Sequence, residues 1–353
     1  MKLGLLKLGL LVGALGGCSG EDRASPEPVR KAAFAAAWAE FLPPEQIEAA
    51  FPLLRRHQVA VNLAWPVAQL SDPALLELVK RASAAGVEIR PWLLLGEADG
   101  YWPGSTNAPM FAASARSLMD VWEKNGLTPT TFVVDMEMSK DRVDQLDALW
   151  KKDDVLGVVE LMKSGVDPAR YASATEEYAV LVGEAQSRGW RVHLTTLPQV
   201  LDDYADGDDG LRQALGIPVE GIGWDVVTFQ AYRTLFGDML GGDTPPTAYF
   251  VHSYGKDARK LFGDKAGLDV GMVGEGVTPA STYASGSDLA ADLAAASAAG
   301  IPRALLNVYN LDGVLARTPV EQWLGEPTEL GAPAEDAATV SIRKNATILD
   351  GLL

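Results

Sequence analysis

Two carboxylates stand two residues apart at the end of an apolar run, Phe132-Val133-Val134-Asp135-Met136-Glu137. In an extended strand this spacing puts Val133, Asp135 and Glu137 on one face and Val134 and Met136 on the other, with the two acids about 6.6 Å apart along the backbone. Neighbouring carboxyl groups withdrawn from water hold a proton between them, and a carboxyl that keeps its proton near neutral pH can act as a general acid. The plainer reading is a pair of strand-end acids bound by nearby amides or by an arginine. Aiming ionisable groups into an apolar interior is costly, which favours a functional use.

Other polar and aromatic side chains fall at the ends of similar runs. In Asp225-Val226-Val227-Thr228-Phe229-Gln230-Ala231-Tyr232 the period of two groups Thr228, Gln230 and Tyr232, and further along the chain it groups Asn307 with Tyr309. Glu275 stands between two glycines at the end of another run. Trp38, Trp65, Trp92 and Trp102 lie at or just beyond run ends, where flat rings can stack on sugars or pack into the core.

The elements that must position these residues number eight. Strands are predicted near Ala33–Glu40, Val59–Trp65, Val87–Leu95, Thr131–Met138, Arg191–Leu197, Asp225–Tyr232, Leu268–Glu275 and Arg303–Tyr309. Helical periods lie between them, at Pro44–Arg56, Pro73–Ala85, Pro109–Asn125, Ala172–Ser187 and Ser287–Ala299. Several open on Pro or Ser and close at Gly86, Gly126, Gly189 and Gly300. The alternation specifies an α/β chain folded as a single-domain (β/α)8 TIM barrel over residues 31–324. A helical excursion is expected over Asp141–Ala169, after the fourth strand, and residues 325–353 are expected to pack back on the barrel as a strand or short helix. Active sites of such barrels form at the C-terminal ends of the strands. That rule makes Glu137, Asp135 and Tyr232 the catalytic candidates, and Gln230, Asn307, Tyr309, Glu275, Trp38, Trp65 and Trp92 the substrate contacts.

At these positions the sequence resembles the sugar-cleaving barrels with a D-x-E pair on strand four, chiefly the chitinase-like family 18 glycoside hydrolases and the D-x-E muramidases. The family 18 pattern is D-x-x-D-x-D-x-E, and the resemblance implies that Glu137 protonates the glycosidic oxygen while Asp135 orients an N-acetyl group of the substrate. Tyr232 matches the Tyr of that family's strand-six M-x-Y-D, whereas Gln230 and Arg233 replace its Met and Asp, and Tyr309 stands where a Trp floor is usual. The outer acidic positions of the strand-four motif are Thr130 and Val133 here. A divergent enzyme and a binding-only relative both fit this pattern. A second chemistry would pair Glu137 with Glu275 as in retaining glycosidases, which need carboxyl groups about 5–5.5 Å apart.

Metal and nucleotide chemistry find little support. The three histidines, His57, His193 and His252, form no H-x-x-H or H-E-x-x-H spacing, and no phosphate-cradling glycine loop follows a strand, so no cofactor and no metal is expected. His193, on the fifth strand, fits a structural role, a substrate contact or catalysis alike. The acidic stretch Asp202–Gly210 lacks the spacing of a calcium loop and reads as a solvated turn.

The chain opens MKLGLLKLGLLVGALGGCSG, with Lys2 and Lys7 ahead of an apolar run too short for a membrane span. Leu15-Gly16-Gly17-Cys18 resembles a bacterial lipobox, which implies cleavage after residue 17 and lipid on Cys18, the single cysteine of the chain. An extracytoplasmic, membrane-anchored lipoprotein is therefore expected, with residues 18–30 as a flexible tether. Such cleavage removes two of the 30 basic residues and none of the 47 acidic ones, taking the formal charge from −17 to −19. That balance argues against nucleic acid as a partner. The expected partner is a polysaccharide or oligosaccharide, bound by a monomer.

Overall fold

In the computed structural model, residues 31–204, 207–240, 244–324 and 331–353 are described. The signal segment, Cys18 and the tether lie outside them. Eight parallel strands close into a barrel in chain order: β1 (Ala36–Ala39), β2 (Ala60–Pro66), β3 (Ile89–Leu94), β4 (Thr131–Met136), β5 (Arg191–Thr196), β6 (Val226–Ala231), β7 (Ala266–Gly271) and β8 (Leu306–Tyr309). Trp38 of β1 pairs in register with Tyr309 of β8 and shuts the ring. The strands are buried along nearly their whole length because helices cover them outside while side chains fill the interior.

Helix ends follow the local chemistry. Asp72 accepts from the amide of Ala74 to start the helix Pro73–Ala85, and Gly86 ends it at φ +75°, a left-handed conformation that costs glycine little. The expected helix Pro44–Arg56 is two, Pro44–Ala49 and Phe51–His57, divided at Ala50, with Pro52 in the first turn of the second. The excursion after β4 consists of the helices Lys140–Trp150 and Val155–Gly165. Among the described residues no helix is long and apolar enough to cross a membrane.

Outside the ring, aromatic packing ties strands to helices. Trp122 of the helix Ala108–Lys124 lies 5.5 Å from Trp65 and 5.2 Å from Trp190, centroid to centroid. Trp65 therefore points away from the barrel interior. Its ring is fully buried, with Nε1 donating to the carbonyl of Gln69, so the expected sugar contact is a core residue.

The C-terminal extension ends in a 14-residue helix, Ala337–Asp350, rather than a strand. Arg343 on this helix donates to Asp202 at 2.7 Å and pairs with Asp257 at 2.7 Å. Asp203 is likewise buried and pairs with Arg212 at 2.6 Å. The start of the acidic stretch is thus not a solvated turn: two of its carboxylates are internal counter-ions that dock the last helix and a neighbouring one. Asp336 caps the last helix, accepting from the amide and hydroxyl of both Thr339 and Thr247. Asp336→Ala is expected to lower stability by about 1–2 kcal/mol, the usual value of a helix cap, as read by denaturant unfolding.

Candidate active site

Alternation along β4, β6, β8 and β1 brings Asp135, Glu137, Gln230, Tyr232, Tyr309 and Trp38 to one cleft at the C-terminal mouth of the barrel. Trp92 of β3 and Trp102 from the loop beyond it also line this cleft. Trp38 and Trp92 meet edge to face at 4.8 Å, and the rings of Tyr232 and Tyr309 lie 5.4 Å apart.

Gln230 fixes the carboxyl pair. Its Nε2 donates to Asp135 at 2.9 Å and to Glu137 at 2.6 Å, so one amide spans both acids. Asp135 and Glu137 are also hydrogen-bonded to each other. Burial pushes Asp135 well above the usual carboxylate range, helped by the negative charges of Glu137, Asp269 and Glu40. Burial likewise pushes Glu137 up to about 7, against the stabilisation its anion gains from Gln230 and Asp135. Near neutral pH the pair holds a proton, as a general acid must.

Two groups of the site were not singled out from the sequence. Glu40, one residue past β1, accepts from the hydroxyl of Tyr101 at 2.6 Å and from that of Tyr309. Burial raises its pKa against the pull of those two phenols. Its position two residues beyond the inward Trp38 was the available signal. Tyr101 has a left-handed backbone at φ +64°, unusual for a tyrosine, which its surroundings must hold in place. Asn107 supplies much of that hold, with Nδ2 donating to the carbonyls of Asp99 and Trp102 and Oδ1 accepting from Gly104.

Beneath the cleft lies Asp269, on the inward face of β7 and fully buried. One of its oxygens accepts from Trp38 Nε1 at 3.1 Å and Asn307 Nδ2 at 2.7 Å. The other accepts from Thr195 at 2.5 Å and Thr228 at 2.6 Å. Asn307 therefore sits below the cleft as a donor to Asp269 and is not among the residues that line the cleft. His193 bonds Thr228 through Nε2 at 2.8 Å, and burial drives its pKa down to about 3. Because Thr228 gives its own proton to Asp269, the neutral imidazole must donate through Nε2. His193 has a structural role.

The expected contact from Glu275 is absent. β7 leaves the ladder at Gly271, and Glu275 lies exposed on the loop beyond, outside the residues lining the cleft. Gly276, Val277 and Thr278 of that loop line the mouth instead. Arg233, at the position of the resembling family's Asp, pairs with the buried Asp292 at 2.9 Å, and Asp292 also accepts from Tyr283 at 2.5 Å. That ion pair braces the wall behind the cleft.

The cleft volume is about 60 Å³. That accommodates only a few water molecules, so a sugar ring requires the mouth to widen.

Four carboxyl groups here, on Glu40, Asp135, Glu137 and Asp269, have folded-state pKa values above their ordinary ones. The folded chain then binds more protons than the unfolded chain as these groups titrate. The stabilisation is full below the ordinary carboxylate range and disappears as pH rises through the folded values, about 7 for Glu137. The midpoint of thermal unfolding should fall between about pH 5 and pH 8. Melting curves across that range check this, and Glu137→Gln should flatten the fall.

No family model matches the chain, and no curated protein does. Solved structures similar to it include deoxyribose phosphate aldolase from Aeropyrum pernix, with 14% identity, TM-score 0.40, and 82% of this chain and 87% of that one covered. The PgaB glycoside hydrolase domain from Bordetella bronchiseptica has 12% identity and TM-score 0.48, over 87% of this chain and 100% of that one. D-allulose 3-epimerase from a Methylomonas species has 12% identity and TM-score 0.42, over 92% and 99%. The fold rests on the strand order itself, a closed eight-stranded parallel TIM barrel.

Proposed function

We propose that the protein is a glycoside hydrolase that cleaves an extracellular or cell-envelope polysaccharide, with Glu137 as general acid and Asp135 as its proton-sharing partner. The observation that carries this reading is the Gln230-bridged carboxyl pair, raised by burial and open to the barrel mouth beside tyrosines and tryptophans. In the reaction Glu137 gives its proton to the glycosidic oxygen and the bond to the anomeric carbon breaks. Water then bonds to that carbon and returns a proton to the carboxyl pair, leaving two free hydroxyl ends. If the substrate carries an N-acetyl group, that group supplies the intermediate nucleophile, as the family 18 resemblance implies.

Glu40, rather than Glu275, joins Asp135 and Glu137 as the third carboxyl group lining the cleft. Its two phenol donors offset part of the burial that raises its pKa, and when ionised it stands where positive charge would develop on the sugar. The lipobox-like segment at Cys18 supports export and a lipid tether, which would hold the barrel close to a membrane and its surface glycans.

The small cleft and the missing outer acids of the strand-four motif favour one other reading, a glycan-binding lipoprotein without turnover. A panel of polysaccharides assayed for both binding and new reducing ends tests the proposal. Hydrolysis lost in Glu137→Gln supports it; binding without new ends in the unmodified protein overturns it.

A further inference from the structure

The mouth of the barrel carries one sign of charge. The eight connections that run from a strand end to the next α-helix contain six acidic residues, Glu40, Asp72, Glu97, Asp99, Glu137 and Glu275, and no Lys, Arg or His. Lys140 and Arg233, which open two of those helices, are bound to Asp144 at 2.8 Å and to Asp292 at 2.9 Å. The cleft repeats the pattern. Three carboxyl groups line it, on Glu40, Asp135 and Glu137, together with five aromatic rings and no cation.

A cleft lined by one sign focuses its field and draws a ligand of the opposite sign. Aromatic faces add to the attraction, because an ammonium group is held over a π-system. Among the three carboxyl groups Glu40 has the most room for such a donor. The Gln230 amide already spans Asp135 and Glu137, whereas Glu40 meets the phenols of Tyr101 and Tyr309, one on each oxygen, and each carboxylate oxygen can accept more than one hydrogen bond. A second observation separates a sugar from a bare cation. Trp92 lines the same cleft, and its buried indole N–H has no hydrogen-bond partner among the described residues. It calls for an acceptor, which a sugar hydroxyl supplies and a metal ion or a polyamine does not.

We infer that the glycan taken by this cleft carries free amino groups and that Glu40 receives the ammonium of a bound sugar. The sugar ring rests on the glycoside reading of the cleft; the charge rests on the mouth itself. Uronic and sulfated sugars are disfavoured, because their anions would face carboxyl groups alone.

The test compares glucosamine hexamer with the same hexamer after N-acetylation, below the pKa of the amine, by isothermal titration calorimetry on the full chain carrying Glu137→Gln to prevent turnover. The amine form should bind about tenfold more tightly at low salt. That preference should shrink as salt rises from about 0.05 M to about 0.5 M and the screening length falls. Glu40→Gln should abolish most of it, and Glu97→Gln, at an exposed position of the rim, should reduce it with no buried group disturbed. Asp264→Asn removes an equally negative, exposed charge just before β7, at the opposite end of the barrel, and should leave the preference as it is. Equal binding of the two hexamers, or a preference lowered as much by Asp264→Asn as by Glu40→Gln, would overturn the inference. Release of reducing ends by the unmodified protein tests the hydrolase separately. Preferred binding of the amine form without cleavage would support the ammonium site and count against the hydrolase, whereas cleavage of the N-acetylated form alone would keep the hydrolase and overturn the inference.

Discussion

Glu137→Gln should reduce turnover of a responsive glycan by about 10²- to 10⁴-fold, the usual contribution of a positioned general acid. Glutamine keeps the shape and can still bond the Gln230 amide through its carbonyl, but it has no proton to transfer. The folded state should survive, because the substitution removes a carboxyl that burial already disfavours as an anion. The same group sets the alkaline limb of the unmodified protein. A general acid works while protonated, so the rate should decline as pH rises through about 7, where burial holds Glu137. Initial rates of reducing-end release across pH, for both proteins, check both statements. Turnover undiminished in Glu137→Gln would remove the acid from the mechanism.

The largest effect on stability is expected at Asp269. Its carboxylate accepts four hydrogen bonds from β1, β5, β6 and β8, two on each oxygen, in the fully buried interior of the ring. Asp269→Ala would orphan the Trp38 indole and the Asn307 amide, neither of which can turn into an acceptor at that nitrogen. A loss of about 3–5 kcal/mol is expected, as when one partner of a buried charged network is removed.

Asp269→Asn should cost much less, about 1 kcal/mol. Its carbonyl can take the place of the oxygen facing Trp38 and Asn307, while its amide donates to the hydroxyls of Thr195 and Thr228, which can accept as well as donate. This isosteric variant also removes a negative charge near Asp135, one of the charges that raise that carboxyl. Asp135, the proton-sharing partner of Glu137, should therefore lose its proton at lower pH in Asp269→Asn. Denaturant unfolding of both variants, with a pH–rate profile of the second, separates the hydrogen-bond hub from the charge. Equal losses in Asn and Ala would mean that the ionic charge, not the donor count, holds the strands.

The sequence alone determined the barrel, because each βα unit announces itself locally. The helix Pro73–Ala85 was legible to the residue, since its first proline and its terminal Gly86 are backbone signals independent of the rest of the chain. The grouping of Asp135 with Glu137, and of Gln230 with Tyr232, was legible for the same reason: side chains of a strand alternate whatever it packs on.

Only the tertiary structure decided which face was which and who met whom. Along Ala60–Pro66 both faces are buried and Asn62 alone interrupts the apolar run, too little contrast to set the phase, and Trp65 points to the helices while Trp38 and Trp92 line the cleft. The reach of β7 was overestimated because the apolar run continues past Gly271. The chain there turns so close to Gly313 that a Cβ on that glycine would come within 2.3 Å of the Gly274 nitrogen, which carries Glu275 away from the cleft. Glu40, Tyr101 and Tyr309 come from three distant segments, and Asp269 gathers donors from four strands. Such meetings depend on barrel closure and register, properties of the whole ring that no local window of sequence contains.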